Sequence, residues 1–249
     1  PRFVAAFIII KLLLKDKWSL HLERTYRFNP DWSMIRKILS VGIPNGLENS
    51  MFQLGKVLVL SLVSTFGTYA IAANAVSNVI TLFSILPGQA ICLAVTTVIA
   101  RCVGAGDYEQ AKYYNKKLIL LTHIGMAITI FIVFITLPFI LKVYNLSEAA
   151  SEATRHIIWF HGFCAILIWA ESFTLPATFR ACGDAKACMI ISTVSMWIFR
   201  VGASYILGKN LGLGVFGVWV AMIIDWAFRS LLFGIRYFSG KWKKHALVS

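Results

Sequence analysis

The chain has 249 residues, of which 58% are hydrophobic and only 14% charged. Soluble domains run at roughly 45 to 50% apolar and about 25% charged. A mean hydropathy of +0.73 therefore excludes a water-dressed globule, a disordered chain and a disulfide scaffold, and leaves a polytopic membrane protein. The net charge of +13, from 24 Lys plus Arg against 11 Asp plus Glu, suits nucleic acid or a membrane surface, and the placement of the charges decides which.

In chain order, the apolar stretch Phe3 to Leu14 is interrupted by Lys11 and lacks a small-residue cleavage site, so it reads as the last turns of a preceding transmembrane helix (residues 1–14) and not as a signal peptide. Residues 15–37 interleave Lys15, Lys17, Arg24, Arg27, Arg36 and Lys37 with Trp18, Tyr26, Phe28 and Trp32, the mixture that a cytoplasmic headgroup interface selects. This segment reads as a linker; beside so much membrane-spanning sequence, stacking on nucleic acid is excluded. Asn29, Pro30 and Asp31 predict a turn and an N-cap leading into the first span.

Six runs are long and apolar enough to cross a ~30 Å core as helices: Ile38 to Phe66, Ala70 to Ile99, Leu118 to Leu141, Ile157 to Phe179, Ala187 to Leu207, and Leu211 to Ile235. They are far too long for barrel strands, so the expected fold is all-α, a polytopic transmembrane bundle of six helices over residues 38–238, ending in a basic tail over 239–249. Placing the linker in the cytoplasm puts Arg101, Lys112, Lys116, Lys117, Arg180, Lys186, Arg236 and the tail lysines on the same side. Only Lys142, Arg155 and Lys209 fall opposite, which predicts that both ends of the six-span unit are cytoplasmic.

Charges at bilayer depth cost at least ~2.5 to 3.5 kcal/mol on insertion scales, so Glu48, Lys56, Glu171, Arg200, Asp225 and Arg229 need partners or a function. Asp225 and Arg229 stand i, i+4 in the favourable acid-first order. With Arg200 at a comparable depth, the three are expected to act as structural intramembrane charges joining helices. On the first span Asn45, Glu48, Asn49, Gln53 and Lys56 fall within an arc of about 140°, a stripe that must face protein or a water-filled cavity. His161, Cys164, Glu171, Thr174 and Thr178 share a face of the fourth span. Glu171 has no basic neighbour within four positions, which makes it a candidate for proton exchange. The candidate cation- and substrate-binding residues are thus Glu48, Asn45, Asn49, Gln53, Glu171 and His161. The five cysteines form no CxxC, so no metal site is expected, and no catalytic constellation stands out.

Several segments together carry a family resemblance: GIPNGLENSMFQLGK (Gly42 to Lys56), AIAANAV (Ala70 to Val76), LPG (Leu86 to Gly88), VGAGDYEQAK (Val103 to Lys112), FRACGDAK (Phe179 to Lys186) and GVFGVWVAM (Gly214 to Met222). They resemble the carboxy-terminal half of multidrug and toxic compound extrusion (MATE) transporters. The resemblance implies one lobe of a twelve-helix protein in the plasma (inner) membrane, with an amino-terminal six-helix lobe as its partner. It also implies secondary active export of small organic cations or other amphiphilic drugs in exchange for H⁺ or Na⁺ by alternating access, with no cofactor and no enzymatic chemistry. The match departs from the family at its coupling acids: where many members carry a carboxylate on the first of these helices this chain has Phe52, and the later acid falls near Trp169, two positions before Glu171. Two other classes remain in view, a lipid-linked oligosaccharide flippase, which a more basic cavity would favour, and a non-transporting membrane assembly subunit.

Overall fold

A computed structural model describes residues 2–14, 31–240 and 242. The chain divides into two compact units, residues 1–38 and 39–249. In the first, α1 (Arg2–Leu13) is a single helix where the end of a preceding helix was expected. Most of the expected linker, residues 15–30, lies outside the described residues. Where description resumes, the Asp31 carboxylate accepts from the backbone N–H groups of Ser33 and Met34 at 2.9 and 3.2 Å, capping two of the donors that a helix start leaves unpaired. Helix α2 (Trp32–Ser64) follows without interruption.

The rest of the bundle comprises α3 (Thr68–Gly104), α4 (Tyr108–Tyr144), α5 (Glu148–Ala181), α6 (Ala185–Ser195) and α7 (Gly214–Phe238). Beyond Ser195, α6 widens into π-helical turns over Met196–Gly202 and Tyr205–Asn210. Among the described residues five segments are long and apolar enough to cross a membrane: α3, α4, α5, the composite Ala185–Asn210, and α7. The expected first span lies within α2. That helix is long enough but is not among the five, because its polar stripe dilutes the apolar run.

Half of the apolar stretch of α5 and of α7 is buried, against 28% in α3 and α4, so α5 and α7 form the interior and α3 and α4 turn more of themselves outward. The outward faces carry Phe131, Ile135, Phe139 and Leu167, as a lipid-facing surface requires. One core cluster joins Met126, Ile157, Trp169, Trp219 and Trp226; a second joins Ile99, Leu175, Phe179, Phe233 and Trp242. Trp242, in the expected tail, is buried, stacks on Tyr237 and donates to the Tyr237 carbonyl at 3.1 Å.

Prolines 44, 87, 138 and 176 interrupt four of the helices. A proline inside a helix removes one N–H and orphans the carbonyl four residues earlier, which in lipid must be satisfied internally. At Pro176 the orphan is the Ser172 carbonyl, and the buried Arg229 guanidinium donates to it at 3.2 Å. Where α3 meets α5, Gly88 lies directly under the Trp169 ring, and a methyl group there would collide with it.

Candidate functional site

On α2 the side of the helix that carries Glu48 continues through Phe52 to Lys56 at i, i+4, i+8 spacing. Phe52 and Lys56 line a cavity of about 530 Å³ bounded also by α3, α5, the π-helical part of α6, and α7. A smaller space of about 240 Å³ adjoins it and shares Lys56, Asn78, Arg200, Trp219 and Met222. The wall divides by chemistry. Lys56 and Arg200 bring positive charge from α2 and the widened turns, Asn78 and Gln89 bring amides from α3, and Trp169, Phe173, Trp219 and Trp226 bring rings from α5 and α7. No carboxylate lines either space.

His161 lies at the cavity wall, 2% exposed. Its ring stands edge-on to Trp219 and Trp226, with centroids 5.4 and 5.2 Å away. The Trp219 indole N–H donates to Asn74 Oδ1 at 3.1 Å, which holds the ring upright. Arg200 sits in a π turn, where the extra residue per turn alters the side-chain direction that plain α geometry would give. Its Nη2 reaches only the Met222 sulfur at 3.1 Å, a weak acceptor.

The two acids expected at this site are not among its lining residues. Glu48 is buried and accepts both its bonds from Arg180 Nη2, at 2.8 and 2.9 Å, so its charge is spent on locking α2 to the end of α5. Nearby, Arg236 clasps Asp184 through Nε and Nη2 at 2.6 and 2.9 Å, and Thr178 donates to Asn115 at 2.5 Å. Asn45 and Asn49 bond within their own helix, Asn49 Nδ2 donating to the Asn45 carbonyl at 2.9 Å, and with Gln53 they too are absent from the lining.

Glu171 meets His123 of α4, with Nε2 and Oε1 2.9 Å apart, the two side chains about one-third and one-quarter exposed. His123 does not stand out in the sequence, because a lone histidine in an apolar run carries neither a periodic nor a pairing signal. Its other nitrogen, Nδ1, is 2.6 Å from the Ile166 carbonyl, which can only accept. Nδ1 must therefore carry a proton. One further proton lies between Nε2 and the carboxyl group, whether drawn as imidazolium with carboxylate or as neutral ring with carboxylic acid. The contact thus joins α4 to α5 through one shared hydrogen bond.

Among the described residues no ion pair joins Arg200, Asp225 and Arg229, although Asp225 lies close enough to attract both guanidinium groups. Asp225 Oδ1 instead accepts from Ser195 Oγ at 2.5 Å, bridging α7 to α6. Arg229 serves the carbonyl freed by Pro176 and lies over the Phe173 and Phe52 rings, at 4.6 and 5.1 Å. The i, i+4 spacing permits an Asp225–Arg229 pair, but each side chain has found a partner on a neighbouring helix.

A cation brought to ~6 Å from Lys56 or Arg200 would meet about 3 kcal/mol of repulsion from each at an effective dielectric of ~20. A cation–π contact returns only about 0.5 to 2 kcal/mol.

An all-helical membrane bundle with a polar and aromatic cavity, five of its helices among the described residues long and apolar enough to cross a membrane, is the class that fold and site define. The MatE family model matches residues 44–206, and the chain belongs to that family. It is 26% identical to the probable multidrug resistance protein NorM of Thermotoga maritima, over 100% of this chain and 53% of that protein. It is 25% identical to the probable multidrug resistance protein YoeA of Bacillus subtilis, over 98% and 53%. Among solved structures, an outward-facing multidrug resistance MATE family transporter of the MOP superfamily superimposes with a TM-score of 0.86 at 18% identity, over 97% of this chain and 55% of that one. The chain thus spans about half the length of the curated relatives it matches.

Proposed function

We propose that the chain forms one lobe of a secondary active exporter in the plasma (inner) membrane, moving amphiphilic compounds outward by alternating access in exchange for H⁺ or Na⁺. The reading rests on family membership together with one observation, the polar and aromatic cavity lined by the helices of the bundle. Its partner is an amino-terminal six-helix lobe, and both ends of the six-helix unit lie in the cytoplasm. The coupling device is the Glu171–His123 pair, since an exporter needs a group that changes charge when the driving ion arrives. No cofactor takes part.

Reconstitution of both lobes in vesicles tests the proposal: an imposed proton or Na⁺ gradient should drive dye movement, and Glu171→Gln should remove that drive while leaving insertion intact. Undiminished gradient-driven movement in the variant would place coupling elsewhere. A lipid-linked oligosaccharide flippase is the second reading, favoured by the basic lining. Gradient-independent movement of a polyprenyl-phosphate sugar would establish it instead.

A further inference from the structure

Resting on the reading of the cavity as the transport site, we infer that Lys56 and Arg200 form a subsite for the acidic group of an anionic aromatic amphiphile. The substrate class is thus opposite in charge to the organic cations that the family resemblance implies. Both side chains line both of the adjoining spaces. Neither makes an ion pair among the described residues, although each stands on a helix within the bundle. Asp225, on the same helix as the lining residues Met222 and Trp226, is turned to Ser195 and buried. Glu48 and Glu171 are committed to Arg180 and His123.

Asp225 lies close enough to attract Arg200 but is turned to Ser195, so the two cations lining the space leave an excess of positive charge that attracts an anion from solution or lipid. The guanidinium of Arg200, donating to the Met222 thioether, keeps a planar fork suited to two oxygens of a carboxylate, sulfonate or phosphate. Lys56 supplies a second, mobile point charge. The apolar body of such a molecule has its place against Trp169, Phe173 and Trp226, which line the same space and offer flat rings to stack on. A phosphate headgroup of an anionic lipid offers the same chemistry as a soluble aromatic acid.

The matched probes 1-pyrenesulfonate, 1-pyrenemethanol and 1-pyrenemethylammonium share one ring system and differ in charge. Titrated into the transporter in phosphatidylcholine nanodiscs, with quenching of tryptophan emission as readout, the sulfonate should bind at least tenfold more tightly than the alcohol, and the ammonium most weakly. Lys56→Gln should erase most of the sulfonate's advantage and leave the alcohol unchanged, and Lys56→Arg should keep it. Because Lys56 is exposed, the variant tests charge without disturbing the core. Repeating the titration with phosphatidylglycerol in the discs identifies the source: weaker sulfonate binding makes the lipid headgroup a competitor for the subsite, and unchanged binding assigns it to soluble anions. Equal binding of the three probes, or preference for the ammonium, overturns the inference. Since binding needs no gradient, that result leaves the exporter reading standing, whereas loss of gradient-driven transport with the anion preference intact strikes the exporter reading alone.

Discussion

At the scale of single residues, Glu171 and His123 share one proton because His123 is pinned between two acceptors. His123→Gln should impair ion-driven export as severely as Glu171→Gln, each by tenfold or more in vesicle flux. The double variant should be no worse than either single one, as expected when two groups act as one titrating unit. Additive losses would show two separate roles.

Cys182 offers a check of local burial outside the spans. Burial, with Asp184 nearby, pushes its thiol up to about 12. At pH 8 only about one part in 10⁴ is then thiolate, the form that reacts, so maleimide labelling of Cys182 in the folded protein should be negligible and should rise only toward pH 12 or on unfolding. Rapid labelling at pH 8, read by mass spectrometry, would contradict the packing described around it.

At the scale of elements, the kink in α5 and the buried Arg229 form one device. Pro176 withholds an N–H from the Ser172 carbonyl, and Arg229 replaces it. Arg229→Met should lower the melting temperature and folded yield, and Pro176→Ala in that background should recover part of the loss by restoring a backbone bond, a coupling of about 1 kcal/mol. Asp225→Asn keeps an acceptor for Ser195 but removes the negative charge from a helix bearing Arg229; it should reduce folded yield more than specific transport activity.

The elements were legible in the sequence because hydrocarbon leaves an apolar run of this length few options except a helix, and the cap expected at Asp31, which accepts from the Ser33 and Met34 N–H groups, lies where α2 begins. The site was less legible. Periodicity puts Glu48 on a polar arc, but its partner stands 132 residues away, and nothing in the spacing distinguishes a cavity-facing acid from one already neutralised. The shift of Arg200 into a π turn is likewise invisible to a pattern of 3.6 residues per turn.

At the scale of the whole molecule, the proposed cytoplasmic placement of both ends rests on the distribution of basic residues. Cysteines introduced at Asp107 and Lys241 should react only with reagents that enter the cytoplasm, while those at Asn145 and Asn210 should react from outside; external labelling at Asp107 would overturn the topology.

The central claim, that this chain works as one lobe of an ion-driven exporter, is tested most directly by flux in vesicles containing the chain alone and the chain with an amino-terminal six-helix lobe. The account predicts movement of an amphiphilic probe that follows the imposed H⁺ or Na⁺ gradient only when both lobes are present, and that is lost with Glu171→Gln. Gradient-driven flux by the chain alone, or flux indifferent to both gradients when the lobes are combined, would contradict it.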